Sequence, residues 1–156
     1  MEDCLFCNII KGEIPSCKIY EDNMTYAFLD ISNDANGHML VIPKKHCTNI
    51  LDCGEEYLSA CMAAIKKIGN HLIENCDFGG INVLNASGKD AEQSVFHLHF
   101  HILPRKTGDN MDTFPKLPKN HEAGKHITTN MIANILGLGW AATPAGLRAM
   151  EELNKL

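Results

Sequence analysis

Gln93-Ser94-Val95-Phe96-His97-Leu98-His99-Phe100-His101-Ile102-Leu103 places three histidines at alternate positions within five residues. In an extended chain successive side chains point to opposite faces. His97, His99 and His101 therefore share one side, and Phe96, Leu98, Phe100 and Ile102 fill the other. The pattern predicts a strand over 95–103 whose apolar face rests on a core. Its register is fixed, because slipping by one residue would bury three histidines and expose four large apolar side chains.

Working outward, the chain of 156 residues is 45% hydrophobic, enough for one domain with a real core. A net charge of -5 argues against wrapping a nucleic acid, since phosphate-backbone binders cluster Lys and Arg, but leaves room for a small anionic ligand. Met1-Glu2-Asp3-Cys4 lacks the basic start and apolar run of a signal peptide. No apolar stretch approaches the roughly 20 residues of a membrane span. The expectation is a cytoplasmic protein without membrane contact. Seven scattered cysteines, an odd number, fit thiols or metal ligation better than a disulfide framework.

Short strands are predicted at Lys18 to Glu21 and Thr25 to Ile31, around the turn residues Asp22-Asn23, and at His38 to Pro43. Leu58, Cys61, Met62, Ile65, Ile68, Leu72 and Cys76 recur at helical spacing, which predicts a long helix from Glu55 to Cys76. Gly79-Gly80 breaks it, and Ile81 to Asn85 reads as a fourth strand. The polar loop Ala86 to Gln93 contains Gly88 and suits backbone amides brought near a ligand. The fold class is α+β with a largely antiparallel, five-stranded sheet. Residues 1–106 form the core domain, and 107–156 a C-terminal extension packed on the core or on a dimer partner. In that extension Thr143-Pro144 looks like a helix start, followed by the apolar stripe Leu147, Met150 and Leu153.

Three imidazoles on one strand face have three readings: a water-facing sheet edge, a three-histidine metal site, or phosphate chemistry. In the last, a neutral imidazole attacks phosphorus while its neighbours donate hydrogen bonds to phosphate oxygens or the leaving group. Cys4-Leu5-Phe6-Cys7 supplies a second constellation. Two thiolates with two imidazoles would close a tetrahedral zinc site; unligated thiols and a redox pair are the alternatives. Lys44 and Lys45 read as solvated lysines, and His38, His71, His121 and His126 have no evident partner.

The stretch from Gln93 to Leu103 resembles the signature of the histidine triad family, His-φ-His-φ-His-φ-φ with φ apolar. Phe28-Leu29-Asp30-Ile31, Val41-Ile42-Pro43-Lys44-Lys45-His46 and Ile81-Asn82-Val83-Leu84-Asn85 extend the resemblance in the family's order. It implies an HIT-like fold whose sheet continues across a homodimer. It also implies that His99 attacks the α-phosphorus of a nucleotide to form a nucleotidyl-histidine intermediate. His101 and His97 complete the triad. Ser94, Gln93 and Asn85 would offer hydrogen bonds to the phosphate or the scissile linkage. Asp30 would accept from the ribose hydroxyls, with Phe28, Ile31, Leu5 and Phe6 as walls of the base pocket; on residue type alone those four read as ordinary core residues, and only the resemblance lifts them. By the same resemblance, Cys4, Cys7, His46 and His97 would hold a structural zinc.

Ser94 within Gln-Ser-Val-x-His favours a purine-nucleoside phosphoramidase that cleaves adenosine monophosphate (AMP) from an amine. Pro104-Arg105-Lys106 points instead to a dinucleoside polyphosphate hydrolase. A nucleotide-binding regulatory module with incidental activity is the reading from another class.

Overall fold

The computed structural model describes residues 4–32 and 35–111, all within one compact unit that ends at Met111. The expected helix after Thr143-Pro144, with the rest of the extension beyond Met111, lies outside the described residues. The elements are helix α1 (Leu5–Lys11), strands β1 (Lys18–Glu21), β2 (Thr25–Leu29) and β3 (Met39–Pro43), helix α2 (Glu55–Asn75), and strands β4 (Gly80–Leu84) and β5 (Phe100–Arg105). The five strands form one sheet in the order β1-β2-β3-β5-β4, every neighbouring pair antiparallel. The α+β class with one long helix is as expected.

Alternation along β2 and β3 sorts their side chains between two cores. Ala27, Met39 and Val41 join Leu98, Phe100 and Ile102 beneath the buried face of α2, which contributes Cys61, Ala64, Ile65, Ile68 and Leu72. Gly69 lets α2 approach β4 closely, since a Cβ there would stand 2.7 Å from Cδ1 of Ile81. On the opposite face Tyr26, Phe28, Leu40 and Ile42 pack with Phe6 and Ile9 of α1. The sheet is therefore covered on both sides. Its exposed ends turn by local chemistry: Oδ1 of Asp22 accepts the amides of Met24 and Thr25, at 2.8 and 2.7 Å, to close the β1–β2 hairpin.

Two sequence expectations change. Helix α1 was not anticipated; it is only seven residues long and ends at Gly12, whose φ of 78° is the left-handed conformation that stops a helix. The histidine strand begins at Phe100, not Val95. Upstream of Phe100 the chain leaves the ladder. The Leu98 amide instead bonds the carbonyl of Cys47 at 2.8 Å, and the Asn85 side-chain amide donates to the carbonyl of His99 at 2.9 Å. Leu98, Phe100 and Ile102 fill the α2 core as the alternation predicts, but Phe96 is about half exposed, outside the region where the strand pattern applies. The imidazole face is no open surface either: His97 and His99 are buried beneath α1.

Candidate active site and metal centre

The three histidines occupy different environments. His97 is fully buried, and its Nε2–H donates to the carbonyl of Pro43 at 2.9 Å, which leaves Nδ1 as the free lone pair. That nitrogen lies 3.4 Å from Sγ of Cys4 and 3.6 Å from Sγ of Cys7. Nδ1 of His46 lies 3.4 Å from Sγ of Cys7. All four donor atoms fall within 4.8 Å of one another. Tetrahedral zinc with sulfur at roughly 2.3 Å and nitrogen at roughly 2.0 Å sets such separations. The donor set fits the metal, and the Pro43 bond fixes the ligating tautomer of His97. Burial, then the neighbouring Cys4, push the Cys7 thiol up to about 11, so a thiolate here needs a cation beside it. Burial lowers the pKa of His97, keeping it neutral as a ligand must be.

His99 is also buried. Its Nδ1–H donates to the carbonyl of His97 at 2.7 Å, which directs the lone pair to Nε2. The rings of His99 and His101 stand 5.0 Å apart, edge to face. His101 lies within the β5 ladder, opposite Leu40 of β3, where it meets a residue that the sequence reading left without a partner. His38 stands just before β3, and its Nε2 is 2.8 Å from Nδ1 of His101 and 3.6 Å from Oδ2 of Asp30. Nδ1 of His38 is 3.1 Å from Oγ of Ser32. Ser32, His38 and His101 thus form a hydrogen-bonded chain. Burial first, then the proximity of His99 and His38, push His101 down to about 4, against the opposing pull of Asp30. At neutral pH it is an uncharged donor and acceptor.

His99, His101 and Asp30 border a cleft of about 850 Å³. Its walls include Leu5, Phe6, Phe28, Asp30, Ile31, Ser94, His99 and His101, eight of the residues singled out from sequence. Ile31 is wholly exposed at the rim, whereas Phe6 and Phe28 are buried with their rings edge-on at 5.6 Å. Ile9, Ile14, Pro15, Ser16, Cys17 and Leu40 also line it and were not foreseen. Gln93 and Asn85 are placed differently from the expectation. The buried Gln93 carbonyl accepts the Gly88 amide at 2.8 Å, and its Nε2 donates to the carbonyls of Thr48 and Val95 at 2.6 and 3.0 Å. Asn85 donates to the carbonyl of His99, and its Oδ1 accepts from Ser87 at 2.8 Å. Both side chains hold the backbone that carries the histidines.

The family model for the HIT domain matches residues 11–108. The chain is 47% identical over 104 residues to Protein hit of Bacillus subtilis, covering 67% of this chain and 72% of that one. It is 42% identical over 132 residues to the adenosine 5'-monophosphoramidase HNT1 of Candida albicans, covering 76% and 87%. Among solved structures, a zinc-bound histidine triad family protein from Mycobacterium smegmatis superposes with a TM-score of 0.68. The two share 36% identity over 80% of this chain and 89% of that one.

Proposed function

Because this chain belongs to the HIT family, we propose that it hydrolyses a purine-nucleoside phosphoramidate, releasing AMP and an amine through a nucleotidyl-His99 intermediate. The observation that carries this reading is the 2.7 Å bond from Nδ1–H of His99 to the His97 carbonyl, beside a cleft whose lining is both apolar and polar. Leu5, Phe6 and Phe28 suit a base; Asp30 suits the ribose hydroxyls; Ser94, His99 and His101 suit the phosphate. The relative from Candida albicans, named an adenosine 5'-monophosphoramidase, supports the choice of substrate.

Nε2 of His99 attacks phosphorus, and the bond from phosphorus to the amine nitrogen breaks. Positive charge develops on the ring as the new bond forms, and the carbonyl of His97 stabilises the Nδ1–H that bears it. With the anionic phosphate bound beside it, His101 enters the step as imidazolium: its Nδ1–H donates to Nε2 of His38, which keeps Nε2–H pointing outward, and the departing amine takes the Nε2 proton, leaving His101 neutral. In the second half, water gives a proton to His101 and its oxygen displaces His99 from phosphorus. The His99 ring returns neutral, His101 has its proton back and the catalyst is unchanged. Gln93 and Asn85 act through the backbone they hold.

Cys4, Cys7, His46 and His97 would hold one structural zinc, which, with four protein ligands, has no open position for water and serves to cross-link α1 to the catalytic segment. The protein would act as a cytoplasmic homodimer, β4, an edge strand among the described residues with Val83 and Leu84 exposed, meeting a second copy. The test compares turnover of an adenosine phosphoramidate and a diadenosine polyphosphate. We expect the phosphoramidate to react faster, and His99→Ala to abolish turnover while AMP still binds. Equal or reversed preference rejects the substrate, and an active His99→Ala rejects the nucleophile.

A further inference from the structure

Helix α1 stands between two sites. Cys4, at its N-cap, and Cys7 turn their sulfurs to the metal cluster, while Leu5, Phe6 and Ile9 line the cleft. The helix has little stability of its own. It is seven residues long, no side chain caps its start, and its first turn carries no acidic residue. Isolated helices shorter than about 12–15 residues are marginal in water. Its place is therefore set by what its faces touch.

Phe6 sits where the two sites meet. Its ring is edge-on to His97 at 5.8 Å and to His99 at 5.4 Å. One of those rings belongs to the metal cluster and the other to the cleft. A second link runs through the backbone, since the carbonyl of His97 accepts the Nδ1–H of His99. We infer that the metal centre and the nucleotide cleft are thermodynamically coupled through α1, with Phe6 as the positioning residue that carries the coupling. The inference rests on the reading of the two sites given under Proposed function. Ordering α1 is a free-energy cost shared by both ligands. Whichever binds first orders the helix, and the second meets a prepared wall. Linkage then requires the same factor in both directions.

The experiment uses the full chain stripped of metal by a chelator. Calorimetry measures AMP affinity without and with Zn²⁺, and competition against a chromophoric chelator measures Zn²⁺ affinity without and with saturating AMP. Zn²⁺ is expected to tighten AMP binding about tenfold, and AMP to tighten Zn²⁺ binding by the same factor. Phe6→Leu is expected to bring that factor close to one. A purely structural role for Phe6 would weaken one affinity or both and leave their ratio untouched. If both ligands bind wild type but independently, the coupling is overturned and the proposed function stands. If coupling persists in full in Phe6→Leu, the role of Phe6 is overturned. If Zn²⁺ or AMP fails to bind, the reading of that site and the inference fall together.

Discussion

His38 shows how a residue's chemistry depends on distant pairing. In the sequence it is a lone histidine after Asn36-Gly37, and nothing local sets it apart from His71. Its partner His101 lies 63 positions away and is delivered by the β3–β5 ladder, in which Leu40 faces His101. For Gln93 and Asn85 the sequence does not show the direction of their amides, because side-chain hydrogen bonds to backbone depend on loop conformation. If His38 orients His101, His38→Ala lowers kcat by on the order of tenfold to a hundredfold with little change in KM; an unchanged kcat removes the relay. His101 also makes stability depend on pH. Its folded pKa of about 4 lies below the ordinary 6.5, so between those values the unfolded chain takes up a proton that the native protein refuses. Stability falls as pH drops from 6.5 to 4, with no further loss from this group below 4. Denaturant unfolding at pH 7 and 4.5 should show a smaller loss for His101→Asn than for wild type.

Among the elements, α2 was legible because 21 residues carry several repeats of the apolar period. Helix α1 spans two turns, too few for a period to emerge, and its only local marks are Gly12 at its end and the spacing of its cysteines. The histidine stretch was legible in composition but not in extent. Alternation places Leu98, Phe100 and Ile102 correctly, yet it does not show that the ladder stops at Phe100, where the amide of Leu98 has already turned to Cys47. The helices answer differently to mutation. Ile68 is buried in the α2 core, so Ile68→Ala should lower the unfolding free energy by about 2–5 kcal/mol. The kcat per folded molecule should stay at the wild-type value, and a fall in kcat larger than the loss of folded protein would show that α2 bears on the site directly.

At the scale of the molecule, the sheet of the described residues ends in β1 on one side and β4 on the other. An edge that exposes Val83 and Leu84 invites pairing. Sedimentation at micromolar concentration should give the mass of a dimer, and a charged substitution at Val83 should lower it; a monomeric wild type would refute the proposed assembly. The unequal covering of the sheet has a further consequence. One face bears a long helix over an apolar core, while the other bears a short helix beside a cleft and a cluster of metal donors. In a living cell, damage beneath α2 would reduce how many molecules survive quality control. Damage beneath α1 would leave their number less changed and alter what each one achieves. Loss through dosage and loss through specific activity would thus map to opposite sides of a single sheet, and immunoblotting alongside assay would assign a variant to one side or the other.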